Sequence, residues 1–79
     1  MDNNQFNLKP FNERAKYTWR KGKYLACRVK TNFVINLYSV DNFYVETWIN
    51  PDKISFNKIR SFKTRRGLEP YLKKITIDF

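Results

Sequence analysis

Between Phe33 and Phe62 apolar and polar residues alternate with the period of a strand, and the remaining elements flank that stretch. The segment from Phe33 puts Phe33, Ile35 and Leu37 on one face and Val34, Asn36 and Tyr38 on the other. The next, Phe43 to Ile49, groups Phe43, Val45 and Ile49, with Tyr44, Glu46 and Trp48 opposite. A turn signal, Val40-Asp41-Asn42, joins the two as an antiparallel hairpin. Asn50-Pro51-Asp52-Lys53 then predicts a turn into a further strand over about 57–63. There Ile59 and Ser61 point inward, and Lys58, Arg60 and Phe62 outward. Ile54 and Phe56 fall out of phase with Ile59, so an irregular or bulged entry is expected.

Upstream, KYTWR from Lys16 and KYLACRV from Lys23 read as two strands around Lys21-Gly22-Lys23, with Gly22 supplying a positive φ. Leu25, Cys27 and Val29 share one side of the second, and Tyr24, Arg28 and Lys30 the other. Thr31-Asn32 turns the chain, with Asn in the left-handed conformation. Downstream, Leu68, Tyr71, Leu72 and Ile75 recur at helical spacing. Pro70 belongs in a first turn, which starts that helix near Gly67. Ile77 and Phe79 alternate beyond it as an extended tail. The expected fold is α+β: an antiparallel meander of four to five strands with one C-terminal helix packed on one face. Residues 1–14 form a polar, Asn-rich arm, and 15–79 a single domain. The helix is short, so the arm or a second subunit, in a two-fold dimer, is expected to cover the remaining apolar surface.

Composition agrees with a folded domain: 79 residues, 42% of them hydrophobic and 18% aromatic. The single cysteine, Cys27, excludes a disulfide within one chain. The first residues lack a secretory leader and no apolar run spans a bilayer, so a cytoplasmic location is expected. Sixteen Lys and Arg against seven Asp and Glu leave a net charge of +9, which favours polyanionic partners.

Catalysis finds little support. Histidine is absent, removing the commonest general base and metal ligand. The carboxylates fall mostly at chain ends, in turns or at the helix start, and Cys27 faces the expected core. There is no Gly-rich phosphate loop. A non-enzymatic binding module with no cofactor and no metal is the expectation.

The cations give that module a partner. No Lys or Arg occurs between residues 31 and 52. In a meander the strands on either side would therefore border the centre with positive charge. Tyr38, Tyr44 and Trp48 would occupy the middle of the outer face, with Tyr24 beside them. Arg28 and Lys30 would flank them on one side, and Lys58 and Arg60 on the other. Rings that stack bases between cations that hold phosphates suit single-stranded DNA or RNA. Arg65 and Arg66, just before the helix, add phosphate contacts. Cross-strand aromatics also stabilise ladders and edge lysines prevent aggregation, which supports a protein-interaction or structural module, homodimeric or partner-binding, as the alternative.

Trp48-Ile49-Asn50-Pro51, Ile59-Arg60-Ser61-Phe62-Lys63 and Leu68-Glu69-Pro70-Tyr71-Leu72 resemble a group of short uncharacterised bacterial proteins, over about Ala15 to Ile75. That resemblance implies a bacterial source and transfers no activity to this chain. The order of elements is similar to single-stranded nucleic-acid binders of the Pur-alpha and transcriptional-coactivator type, which implies the same partner class.

Overall fold

The computed structural model describes residues 1–52 and 55–75, with side chains at 1–52 and 58–72. It begins with a short helix, α1 (Asn3–Asn7), opened by a capping box. The Asp2 carboxylate accepts from the Gln5 N–H, and the Gln5 side chain accepts from the Asp2 N–H. Helix α2 (Phe11–Lys21) follows Pro10, with Glu13 in its first turn and Arg20 and Lys21 in its last. Four strands come next: β1 (Lys23–Lys30), β2 (Phe33–Val40), β3 (Phe43–Asn50) and β4 (Ser55–Phe62). They form one antiparallel sheet in the order β1-β2-β3-β4. A 3₁₀ turn over Arg65–Leu68 leads into α3 (Glu69–Ile75), with Pro70 in its first turn as expected. The α+β meander with a C-terminal helix is therefore the fold, with an additional helical layer at the N-terminus.

Residues 16–20, expected as a strand, are helical. Phe11, Ala15 and Thr18 recur at i, i+4 and i+7, and Ala15 and Thr18 are buried. The buried Thr18 hydroxyl is satisfied by donating to the Arg14 carbonyl. Gly22 is accordingly not a hairpin turn with positive φ. It caps α2 with φ −78°, and its N–H donates to the Thr18 carbonyl at 2.7 Å. A Cβ there would lie 2.3 Å from that oxygen, which explains the glycine.

The first two hairpins close with two-residue turns, Thr31-Asn32 and Asp41-Asn42, so Lys30 opposes Phe33 and Val40 opposes Phe43. Within each of β2 and β3 the predicted alternation holds. Across the second turn it is offset, because a loop of two residues rather than three flips one strand's faces relative to the other. Tyr38 opposes Val45, and Leu37 opposes Glu46. The left-handed residue is the first of each turn, Thr31 (φ 56°) and Asp41 (φ 49°), not the asparagine. A β-branched residue is strained there. Thr31→Gly should raise stability by about 1 kcal/mol in urea unfolding.

Each face of the sheet carries its own core. On one, α1 and α2 bury Phe6 and Ala15 against Val40, Phe43, Val45 and Ile59, with Tyr17 and Tyr38 alongside. Arg14 donates to the Ile59 carbonyl and the Ser61 hydroxyl to Asn7, fastening both helices to β4. On the other, α3 and the 3₁₀ turn set Tyr71 and Leu68 on Leu37, Phe62 and Tyr44. Gly67 permits that approach: a Cβ would sit 2.3 Å from the Phe62 ring. The expected irregularity in β4 is present, as a register shift between Trp48–Lys58 and Ile49–Phe56. Cys27, expected to face the core, is instead exposed, on β1 at the edge of the sheet. The expected tail at Ile77 and Phe79 lies outside the described residues.

Candidate functional site

The register brings two rows of side chains onto the face that α3 shares. One runs Arg28, Ile35, Trp48, Lys58, and the other Ala26, Leu37, Glu46, Arg60. Directly opposed residues of an antiparallel sheet share a face, so β1 and β4 deliver their cations to the same side of the central strands.

Glu46 is the centre of that arrangement, and its side chain is fully buried. Its Oε2 accepts from Arg28 Nη2 at 3.3 Å and from the Tyr71 hydroxyl at 2.7 Å. Its Oε1 accepts from Trp48 Nε1 at 3.3 Å and lies 3.5 Å from Arg60 Nη1. Donors from β1, β3, β4 and α3 thus surround one carboxylate, which compensates its loss of hydration. Burial works against the Arg28 guanidinium, but contact with Tyr71 and Glu46 outweighs it and raises its pKa.

Burial, and then the hydrogen bond to Glu46, push the Tyr71 phenol above its ordinary value of 10.0. Folding therefore favours the protonated phenol. That stability is fully present below pH 10 and is lost as pH rises through the range above it. Tyr71→Phe should cost about 1.5–3 kcal/mol at neutral pH, the worth of a hydrogen bond to a charge. It should also flatten the alkaline loss of stability, measured by urea unfolding between neutral pH and pH 11.

Trp48, beside Glu46, is only 9% exposed. The Lys58 ammonium lies 4.4 Å from its ring centroid, the Arg28 guanidinium 5.7 Å and the Lys30 ammonium 6.0 Å. Phe33 meets it edge-on at 5.4 Å. Lys30 and Lys58 remain exposed, and among the described residues neither pairs with a carboxylate. Both cations sit on an electron-rich ring and stay available to an outside anion.

Of the residues expected at a nucleic-acid face, Arg28, Lys30, Tyr44, Trp48, Lys58 and Arg60 come together here. Tyr44 is half-buried, stacked on Phe62 at 5.6 Å beside the α3 contact. Arg65 and Arg66 are exposed in the 3₁₀ turn that leads into α3. Tyr24 and Tyr38 do not join them. They meet ring to ring at 5.8 Å, and Tyr38 packs in the core under α1 and α2. A bulge between Tyr24 and Ala26 brings Tyr24 opposite Tyr38. Tyr71 was not anticipated at the site. Its signal was a phenol on the apolar stripe of a helix that had to cover a sheet face containing Glu46.

A second carboxylate, Asp41, accepts from the Tyr17 hydroxyl and pairs with the Met1 amino group at 3.3 Å. The Tyr17 bond lowers the Asp41 pKa and raises that of Tyr17. This exposed cluster fastens α2 to the β2–β3 turn. Beside α2 runs an open groove of about 580 Å³, bordered by Lys9, Glu13, Lys16, Trp19 and Arg20. Among the described residues no cluster of Cys, Asp and Glu could hold a metal ion, and no helix is long and apolar enough to cross a membrane.

Comparison of the chain with protein-family models, curated proteins and solved structures gives no match.

Proposed function

We propose that this chain is a non-enzymatic module that holds single-stranded nucleic acid by its phosphates, on the sheet face shared with α3. The supporting observation is the imbalance of charge there. Arg28, Lys30, Lys58 and Arg60 converge from both edge strands, and the only carboxylate in those two rows, Glu46, is fully buried and already engaged. Lys30, Lys58 and the half-exposed Arg60 are left to bind an outside anion. Spacing cations across a sheet suits a flexible polyanion, whose phosphates can adjust to them. Trp48 carries its cations at rest. A phosphate that draws Lys58 off the ring opens it to a base, so the indole reports binding directly.

The two tryptophans allow a face-specific test. Trp48 lies in this face, whereas Trp19 is 56% exposed on α2, across the sheet. In Trp19→Phe, titration with an oligonucleotide should produce a saturable change in the remaining Trp48 emission. A response confined to Trp48→Phe, which retains Trp19, would move the interface to the α2 groove and sink the assignment.

A further inference from the structure

We propose that two copies of this chain join edge to edge through β1, about a two-fold axis at Cys27, into one continuous sheet. The inference goes beyond nucleic-acid binding and does not depend on it. Strand β1 is an outer strand of the sheet. Unlike the central strands, it exposes apolar side chains: Leu25 is 46% exposed and Val29 71%, and Cys27 between them is exposed as well.

The hairpin dictates which backbone groups face outward. A two-residue turn closes on a hydrogen-bonded pair, here Lys30 and Phe33. Alternate residues of β1, Lys30, Arg28 and Ala26, therefore bond to β2. Val29 and Cys27, and Leu25 at the bulge, direct N–H and C=O to the free edge. That is the unpaired row onto which another strand adds.

Charge and side-chain type select the partner and the register. With Cys27 opposite its own copy, Leu25 opposes Val29 and Arg28 opposes Ala26, so apolar meets apolar and no cation faces a cation. Centring the pair on Arg28 would set that guanidinium against itself. Centring it on Val29 would set Arg28 against Lys30. Of these three centres, only Cys27 pairs the outward backbone groups without like charges opposed. A two-fold axis perpendicular to the sheet keeps each face on its own side, so the Arg28 and Lys30 edges of the two copies would adjoin.

Sedimentation of the intact protein tests this. A species of twice 9.6 kDa is expected, and it should be favoured by salt, because two chains of charge +9 repel each other. Diamide, which takes up two hydrogens as two thiols join, should link Cys27 to its copy. A hydrogen-bonded antiparallel pair holds the Cα atoms ~5.5 Å apart, within disulfide reach. Cys27→Pro removes an N–H directed at the free edge but none directed at β2, and should give a folded monomer. Val29→Lys should weaken association at least roughly tenfold, and it decides the matter if the proline variant does not fold. A wild type that sediments at 9.6 kDa at every concentration, or a dimer indifferent to Val29→Lys, would overturn the proposal.

Discussion

Glu46→Leu is expected to lower the stability of the domain by about 3–5 kcal/mol, the usual cost of removing one partner from a buried ion pair. The substitution leaves Arg28, whose side chain is 13% exposed, with a charge that no other carboxylate among the described residues balances. It also strips the Trp48 N–H and the Tyr71 hydroxyl of their acceptor. A domain of this size has roughly 4–12 kcal/mol in total, so the loss would be a large share of it. Urea unfolding measures the effect. Arg28→Met in the Glu46→Leu background should recover about half, because an apolar pair needs no compensating charge. A neutral Glu46→Leu would mean that the carboxylate does not hold α3 to the sheet.

Phe6→Ala is the second large effect, at about 3–5 kcal/mol for deleting a buried ring. Phe6 has no solvent exposure and lies 5.3 Å from the Phe43 ring and 6.3 Å from that of Tyr17. It joins α1 to both α2 and the β2–β3 hairpin. Thermal unfolding should move down by roughly 4–8 °C per kcal/mol in a chain of this length. A shift of only one or two degrees would show that the N-terminal helices rest loosely on the sheet, contrary to the packing described.

Strand content was legible because period-two alternation in β2, β3 and β4 reflects real burial. Which residues share a face was less legible. The turn at Asp41-Asn42 is one residue shorter than the alternation suggested, and that difference alone separates Tyr38 from Tyr44 and Trp48. The bulge at Leu25 similarly carries Tyr24 away from Arg28. Helix α2 was hidden because Tyr17, Thr18 and Trp19 are residues that strands favour. Its helical signals were present all the same: Phe11, Ala15 and Thr18 at helical spacing after Pro10, with Glu13 in the first turn. Helix α3 was legible from its stripe, but its place was not. It covers the face that alternation assigned to solvent, because that face holds Leu37 and Phe62 as well as Glu46. In the sequence Glu46 is a lone charge in a central strand, and only the register shows that Arg28 and Arg60 neutralise it.

The most direct test of the cationic face is the salt dependence of affinity for a labelled single-stranded oligonucleotide. Each phosphate contact adds about 0.7 to the slope of log affinity against log salt. Lys30→Gln with Lys58→Gln should therefore flatten the slope by roughly 0.7 per lysine, while Lys16→Gln with Arg20→Gln, of equal charge change on α2, should leave it unchanged. Equal losses in the two pairs would mean a diffuse polycation, and no binding by the wild type at low salt would contradict the nucleic-acid assignment altogether.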